Sequence, residues 1–312
     1  MRAVILAVLS TSLALAPAPA QEPAFRAEVH LVTVGFSVRD SSGRLVSTLA
    51  QDDFEILEDG VPQKISFFAH SADVPLDLGL AVDFSGSQDN FVKPHHKDLA
   101  TFLKDVLASR DRVFLVCFGN HVRVAQDFTA QSEDVISALH RFEKEGGGGL
   151  FEFASQERRT LGTAFYDAIF YSIDQRLAKS DGSRKALIVF SDGEDNSSGH
   201  HMLEAIEAAQ TNDVTLYPIR YTEKLKGGPI ARNRYGKEVM ARIAKETGGL
   251  DFDARGKNLA ESFAKIGEEL HSSYRLAYHS SNPVADGSFH KVLVRAKAPG
   301  YVIRAKTGYY AR

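Results

Sequence analysis

The sequence predicts an α/β fold: a doubly wound, mostly parallel sheet flanked by a small β-sandwich. From residue 75 onward, short apolar segments alternate with segments of helical periodicity. The apolar segments are hydrophobic along nearly their whole length, which is typical of parallel strands covered by helices on both faces. At both ends of the chain the pattern is instead that of short strands without helices, which predicts the flanking sandwich.

The first residues have the pattern of a secretory signal peptide. Arg2 precedes an apolar stretch at 3–16, and the tripeptide Ala-Pro-Ala at 18–20 supplies the small residues of a cleavage site. The stretch is too short to span a bilayer comfortably, although a retained anchor is the alternative. We therefore expect residues 1–20 to be removed. The mature chain would then be exported to the periplasm, the cell surface or the medium, without stable membrane insertion.

Residues 21–73 are predicted as an N-terminal β segment. Alternation of apolar and polar residues predicts its strands, at 29–38, 53–58 and 61–68. The pair Asp59-Gly60 predicts a tight hairpin turn between the last two strands. No helical period of useful length occurs in this segment.

Residues 74–271 are predicted as the α/β domain. Its apolar strands are expected at 76–82, 113–118, 186–190 and 214–219, with a shorter strand at 122–128 that pairs antiparallel at an edge. Its helices are expected at 89–107, 132–145, 164–177, 201–211, 237–247 and 259–270.

Residues 272–312 are predicted as a C-terminal β segment. Its strands are expected at 274–278, 292–296 and 301–310. Neither this segment nor the N-terminal one has enough strands to bury a face alone. We therefore expect the two segments to pair in one sandwich, with the α/β domain inserted between them.

Oxygen-bearing side chains follow the ends of predicted strands or precede a predicted helix. Asp83, Ser85 and Ser87 form a D-x-S-x-S turn after the strand at 76–82, Thr163 precedes a helix, and Asp192 follows the strand at 186–190. In an open α/β sheet, ligands bind beyond the carboxyl ends of the strands. Hard oxygen ligands suit Mg²⁺. The five residues are therefore predicted to form a magnesium site.

The D-x-S-x-S turn, the Gly-Thr before a helix and the Ser-Asp-Gly after a strand together resemble the von Willebrand factor type A domain, over roughly residues 75–270. The resemblance implies a metal-ion-dependent adhesion site. Asp83, Ser85, Ser87 and Thr163 would surround Mg²⁺, with Mn²⁺ as a possible substitute, and Asp192 would bind it directly or through water. One coordination position would stay open for a carboxylate of a protein partner.

The flanks carry a second resemblance. The run D-D-F-E-I-L-E-D-G-V-P-Q at 52–63 and the Gly-Tyr-Tyr near the C-terminus are similar to a subgroup of von Willebrand A-related proteins described from acidobacteria. This resemblance implies little about a specific activity.

Each site residue also has an ordinary interpretation. Serine and aspartate are common in turns and helix caps, so Ser87 or Asp89 would cap a helix and Asp192 would belong to a plain turn. A site that binds metal only for stability is a further alternative. The neighbouring carboxylates Glu194 and Asp195 are predicted to be solvated loop residues, with contacts that tune the metal from outside its ligand shell as the alternative.

We therefore predict an exported, metal-dependent, adhesion-type module that binds a partner presenting Asp or Glu, and no catalytic residue. The alternatives are a secreted hydrolase that uses the metal or Ser85, and a structural or assembly protein with a non-functional metal site. A net charge of −3 and a pI near 6.4 give no reason to expect nucleic acid.

Other motifs predict no further site. The glycines at 146–149 lack the Lys-Ser/Thr of a phosphate-binding loop. Cys117 lies in an apolar strand and is predicted to be a buried core thiol. The histidines at 95–96 and at 200–201 are adjacent pairs, and neighbours on a helix do not face each other, so no zinc site is expected.

Overall fold

The computed structural model describes residues 31–85, 96–145, 151–153, 162–180, 182–221, 231–254, 259–282 and 285–311. Several sequence predictions lie outside these residues: the signal peptide, Ser87, Asp89 and the glycines at 146–149. Among the described residues, no helix is both long enough and apolar enough to span a membrane.

The described residues form fifteen strands and six α-helices. The strands are β1 (Leu31–Arg39), β2 (Phe54–Glu58), β3 (Val61–Gln63), β4 (Ile65–His70), β5 (Leu76–Asp83), β6 (Arg112–Phe118), β7 (Val122–Thr129), β8 (Phe151–Phe153), β9 (Arg184–Ser191), β10 (Val214–Arg220), β11 (Phe252–Asp253), β12 (Tyr274–His279), β13 (Phe289–Ala296), β14 (Val302–Ala305) and β15 (Gly308–Tyr310). The helices are α1 (His96–Val106), α2 (Ser132–Glu145), α3 (Phe165–Gln175), α4 (Met202–Thr211), α5 (Ala231–Thr247) and α6 (Leu259–Ser272).

A seven-stranded, mostly parallel sheet forms the centre of the α/β domain, with the strand order β11-β10-β9-β5-β6-β7-β8. This confirms the predicted fold class. Strand β7 pairs antiparallel with β6, as expected, but the prediction that it lies at the edge was wrong. The short strand β8 pairs with its outer side, and its three residues were too few to give a sequence signal.

Strand β5 lies at the centre of the sheet, and all eight of its residues are buried. Leu78 and Leu80 pack in a cluster that includes residues of α1, α2 and α6. Ala81 points to the opposite face, where it joins a cluster with residues of α3, α4 and α5. Because side chains alternate between two covered faces, the strand is apolar except at Asp77, which forms a salt bridge with Arg112, and at its last residue, Asp83.

The two ends of the chain form two four-stranded antiparallel sheets, with the orders β14-β1-β12-β4 and β15-β13-β2-β3. Each sheet contains strands from both ends. β1 pairs with β12, for example Val34 with Leu276, and β2 pairs with β13, for example Ile56 with Val294. The apolar faces of both sheets meet in one core, in agreement with the predicted flanking sandwich.

Two predicted strands are each divided between the two sheets. The segment predicted as one strand at 61–68 forms β3, which pairs with β2 across the Asp59-Gly60 turn, and then β4, which pairs with β12. The segment predicted at 301–310 likewise forms β14 and β15. A chain that passes from one sheet of a sandwich to the other has to bend, and the bend divides the strand.

The bounds of the helices differ from the prediction mainly at α5. This helix begins at Ala231, six residues before the predicted start. The two-residue strand β11 was not predicted. In α1 only the part from His96 onward is described, whereas α2 has the predicted bounds.

A buried charged cluster joins the α/β domain to the sandwich. Asp213, between α4 and β10, lies 3.4 Å from Lys306 Nζ and 3.7 Å from Arg275 Nε. It also accepts a hydrogen bond from the backbone N–H of Gly35, and Lys306 donates one to the carbonyl of Gln210. Burial alone would raise the pKa of Asp213, but the positive charges of Lys306 and Arg275 outweigh it and lower that pKa below 3.8.

This cluster should make the stability of the protein depend on pH. Because the pKa of Asp213 is lowered by folding, its stabilisation is present near neutral pH and is lost as pH falls through the folded pKa. We expect Asp213→Asn to destabilise by about 3 kcal/mol near pH 7, since Lys306 stays buried without its charged partner. Urea unfolding followed by circular dichroism should show this difference shrinking between about pH 5 and pH 2. The exposed Asp251→Asn is the control, and a difference independent of pH would contradict the prediction.

Candidate metal centre

The described site residues lie where the carboxyl ends of the central strands form one edge of the sheet. Asp83 is the last residue of β5, and Ser85 follows two residues later. Thr163 precedes α3, and Asp192 follows directly after β9, which pairs in parallel with β5. Strand β6, which follows β5 in the chain, lies on one side of β5, and β9 lies on its other side. The strand order therefore reverses at β5, and this is the topological switch point at which such sheets bind ligands.

Asp83 is a buried carboxylate held by hydrogen bonds. It accepts one from the backbone N–H of Ser85 at 2.8 Å and one from the hydroxyl of Ser191 at 2.6 Å. Burial raises the pKa of Asp83 to about 7; the hydrogen bonds oppose this shift, whereas the charge of Asp192 adds to it. Asp83 and Asp192 are therefore close enough for their charges to repel.

Thr163 is held through its backbone by two separate segments. Its N–H donates to the side-chain oxygen of Asn196 at 2.8 Å, and its carbonyl accepts hydrogen bonds from the N–H groups of Asn196 and Ser197. The N–H of the next residue, Ala164, donates to the carbonyl of Gly119, which follows β6. These contacts hold the loop before α3 against the loop after β9 and the end of β6.

Gly162 is required by the close approach of these loops. A Cβ atom at this position would lie 1.8 Å from Ser197 Oγ and 2.9 Å from Asn196 Oδ1, so no larger residue fits without displacing them. The glycine of the Gly-Thr pair thus permits the contact that holds Thr163.

The backbone after Asp192 packs directly against α5. Gly193 adopts a φ of +79°, and a Cβ atom on Gly236 of α5 would lie 2.1 Å from the carbonyl oxygen of Asp192. The side chain of Asp192 is buried and accepts a hydrogen bond from the N–H of Glu194 at 3.0 Å. Sequence reasoning missed Gly236, because a single glycine near the start of a helix carries no signal of a contact elsewhere.

Asp195 has a defined role, and the prediction that it is a solvated loop carboxylate was wrong. Its Oδ1 accepts hydrogen bonds from the N–H groups of Phe165 and Tyr166, in the first turn of α3. Burial raises the pKa of Asp195, against the hydrogen bonds that it accepts. It caps the helix that follows Thr163 from thirty residues away, and a local sequence pattern cannot reveal such a cap.

Asp167, on the inner face of α3, is a second residue that the sequence reasoning missed. It is buried and accepts hydrogen bonds from the N–H groups of Gly199 and His200 at 3.0 Å each. His200 Nδ1 lies 2.7 Å from the same carboxylate. The contact fastens the end of the loop after β9 to α3.

The chemistry of this edge fits a hard divalent cation. Two neighbouring buried carboxylates and two hydroxyl residues supply only oxygen atoms, the ligand type that Mg²⁺ prefers. The described groups that act on Asp83 are hydroxyls, an amide and another carboxylate, and none of them is positively charged. A cation bound here would favour the ionised form of Asp83, which burial alone disfavours.

Together, the sheet and this edge define an α/β domain with an oxygen-lined site at its switch point. The family model of the von Willebrand factor type A domain matches residues 77–263, more than half of the chain, so the protein belongs to that family. A search of curated protein sequences found no significant match.

The solved structures to which this chain is similar are distant from it in sequence. A von Willebrand factor type A protein from Catenulispora acidiphila is 14% identical, with 92% of this chain and 74% of that one covered and a TM-score of 0.46. BatB from Bacteroides thetaiotaomicron is 17% identical (62% and 97% covered, TM-score 0.45). The vWF domain of the type V pili tip protein Mfa5 from Porphyromonas gingivalis is 14% identical (62% and 94% covered, TM-score 0.45).

The contact at Gly162 gives a test of the site's architecture. We expect Gly162→Ala to lower the free energy of unfolding by roughly 1–3 kcal/mol, because Ser197 and Asn196 must move. As a control, Gly267→Ala in α6 adds a methyl group where no atom lies within 4 Å, and it should be neutral or stabilising by up to about 1 kcal/mol. Thermal unfolding measures both variants. Equal stability of Gly162→Ala and the wild type would contradict the described loop contact.

Proposed function

We propose that this protein is an exported, non-enzymatic binding module that captures an acidic side chain of a partner protein through a Mg²⁺ ion. Its family membership indicates a protein-interaction module. The metal, the exported location and the acidic ligand belong to the proposal. The observation that carries it is the pair of buried carboxylates, Asp83 and Asp192, beside the hydroxyl residues Ser85 and Thr163.

In this proposal Ser85, Ser87 and Thr163 hold the ion through their hydroxyls, with Asp83 and Asp192 binding it directly or through water. The ion supplies a positive charge and an open position for a carboxylate. Asp83 is kept in place by Ser191, and Thr163 is kept in place by Asn196. The protein's contribution is therefore to hold oxygen atoms in fixed positions before the partner arrives, which lowers the entropic cost of binding.

Export is proposed from the sequence pattern of residues 1–20. The non-enzymatic assignment is proposed because the sequence offers no general base in a nucleophile motif around Ser85. A panel of chromogenic esters and phosphates tests the hydrolase alternative. Turnover that disappears in Ser85→Ala would replace the binding function proposed here.

Metal binding is the first test of the proposal. Mg²⁺ or Mn²⁺ should raise the melting temperature, because an ion that binds only the folded state at 100 times its dissociation constant stabilises it by about 2.7 kcal/mol. Asp83→Asn keeps the shape of the side chain and removes its charge, so it should fold and lose most of the shift. The matched control is Asp52→Asn, an exposed residue of the sandwich. Calorimetric heats that are negligible for the wild type and Asp83→Asn alike would exclude the metal site.

Recognition of acidic side chains is the second test. We expect a displayed random-peptide library, selected on the protein in Mg²⁺ and eluted with EDTA, to become enriched in Asp and Glu. Thr163→Ala removes one metal ligand without a change of charge. It should weaken binding of the selected peptides by about 2 kcal/mol or more, roughly thirtyfold.

The control for this test is Thr211→Ala, at an exposed position at the end of α4. Peptides in which Asp and Glu are replaced by Asn and Gln should bind no better than background. If EDTA, Thr163→Ala and these neutral peptides all leave affinity unchanged, the protein binds through another surface.

A further inference from the structure

Helices α1 and α2 bring two histidines and a glutamate together. His96 Nε2, in the first described turn of α1, lies 2.9 Å from Glu143 Oε1 of α2. His140 Nδ1 lies 3.9 Å from Glu143 Oε2, and the rings of His96 and His140 meet edge to face at 4.2 Å between centroids. One ligand atom from each of the three residues lies within 4.8 Å of the others.

The helix geometry explains why these residues meet. His140 and Glu143 are three positions apart in α2, so their side chains lie on the same face of the helix. His96 approaches that face from α1, which packs against α2. The side chains of His96 and Glu143 are 12% and 9% exposed, whereas that of His140 is 50% exposed. The cluster is therefore buried on one side and open to solvent on the other.

The donor set has the chemistry of a zinc site. In a tetrahedral zinc site, bonds of about 2.0–2.1 Å place the ligand atoms roughly 3.3 Å apart. His96 Nε2 lies 2.9 Å from one oxygen of Glu143 and His140 Nδ1 lies 3.9 Å from the other, so each imidazole nitrogen is near this spacing from the carboxylate group. Two imidazole nitrogens and one carboxylate leave a fourth position for water or an anion. Nitrogen ligands favour Zn²⁺ over Mg²⁺, unlike the oxygen-only set at Asp83.

An ordinary ion pair between His96 and Glu143 explains less of this arrangement than a metal site does. Such a pair needs only His96, yet the second imidazole, that of His140, is turned towards the other oxygen of the same buried carboxylate. The charge of Glu143 also reaches the buried Cys117 thiol, whose pKa is raised by burial and further by Glu143. A bound cation would neutralise this carboxylate and use both imidazoles.

We propose that His96, His140 and Glu143 form a zinc site that fastens α1 to α2, with its fourth position open to solvent at His140. The site lies beside the loop of Asp83, because Phe142, between two of the ligands, packs against Phe84 with ring centroids 4.9 Å apart. This zinc site shares no ligand with the Mg²⁺ site at Asp83, and the zinc proposal does not depend on the proposed function.

The sequence reasoning that excluded zinc considered only adjacent histidines. Neighbours along a helix indeed do not converge, but the partners of His96 come from a second helix, forty-seven residues away in the case of Glu143. Packing of α1 against α2 creates this cluster, and a spacing pattern along the chain does not contain it.

The test is a calorimetric titration of Zn²⁺ into the untagged, metal-stripped full chain carrying Asp83→Asn, which removes competing binding at the oxygen site. One equivalent of Zn²⁺ should bind. Replacing a residue that only hydrogen-bonds to a zinc ligand already weakens zinc binding about 10–100-fold. His140→Ala and the isosteric Glu143→Gln each remove a ligand itself, so each should weaken binding by roughly a hundredfold or more. His279→Ala, an exposed histidine of the sandwich, should bind as the parent does.

Co²⁺ provides a second readout, since its visible absorption distinguishes tetrahedral coordination from an octahedral, water-rich site. A tetrahedral spectrum should appear in the Asp83→Asn protein and be absent in Glu143→Gln. No Zn²⁺ binding, or binding that both His140→Ala and Glu143→Gln leave unchanged, would overturn the proposal. His140→Ala alone should leave the Mg²⁺-dependent melting shift as it is in the wild type, so failure of either site is recognised separately.

Discussion

The loop at residues 191–200 connects every described part of the candidate metal centre. At its start, the hydroxyl of Ser191 bonds to Asp83 at the end of β5. In its middle, Asp195 caps α3 and Asn196 holds the N–H of Thr163. At its end, the backbone of His200 bonds to Asp167 inside α3. A displacement of this loop would therefore move Asp83, Thr163 and the start of α3 together, which couples three segments that are distant in sequence.

The loop also explains how a carboxylate remains buried at the edge of the sheet. Asp83 is surrounded by β5, β6 and β9, and burial works against its charge. Hydrogen bonds from Ser191 and Ser85 oppose part of that effect, but Asp192 adds to it. Two buried carboxylates near one another raise the energy of the ionised state, so the geometry favours a positively charged ligand over an empty edge.

The parts of the fold that the sequence predicted are those determined by local pattern. Strand β5 is apolar apart from Asp77 and its last residue, and α2 has a complete amphipathic period, so both were placed within one residue of their observed bounds. The candidate site residues follow strand ends or, for Thr163, precede a helix, and both kinds of boundary are visible in sequence. Their assignment as metal ligands remains a prediction.

The parts that the sequence did not predict depend on contacts between distant segments. The bend between β14 and β15 occurs where Lys306 binds Gln210 and Asp213 and where the N–H of Thr307 bonds to the carbonyl of Glu246. The partners in these contacts lie about 60 to 100 residues away along the chain, so the sequence around the bend does not reveal them. The start of α5 was missed for a related reason, because Gly236 packs by backbone contact and contributes nothing to a hydrophobic period.

Helix α6 links the sandwich to the edge that carries the candidate site. Phe263 of α6 stacks on Phe102 of α1, with ring centroids 4.6 Å apart. Near its other end, Glu269 is buried and accepts hydrogen bonds from Ser37 of β1 and Arg304 of β14. Sliding of α6 along its axis would separate this buried carboxylate from its partners, at a cost of about 3–5 kcal/mol. The sandwich therefore restrains α6 through Glu269, and through the stacking of Phe263 on Phe102 it restrains α1, one of the helices that cover β5.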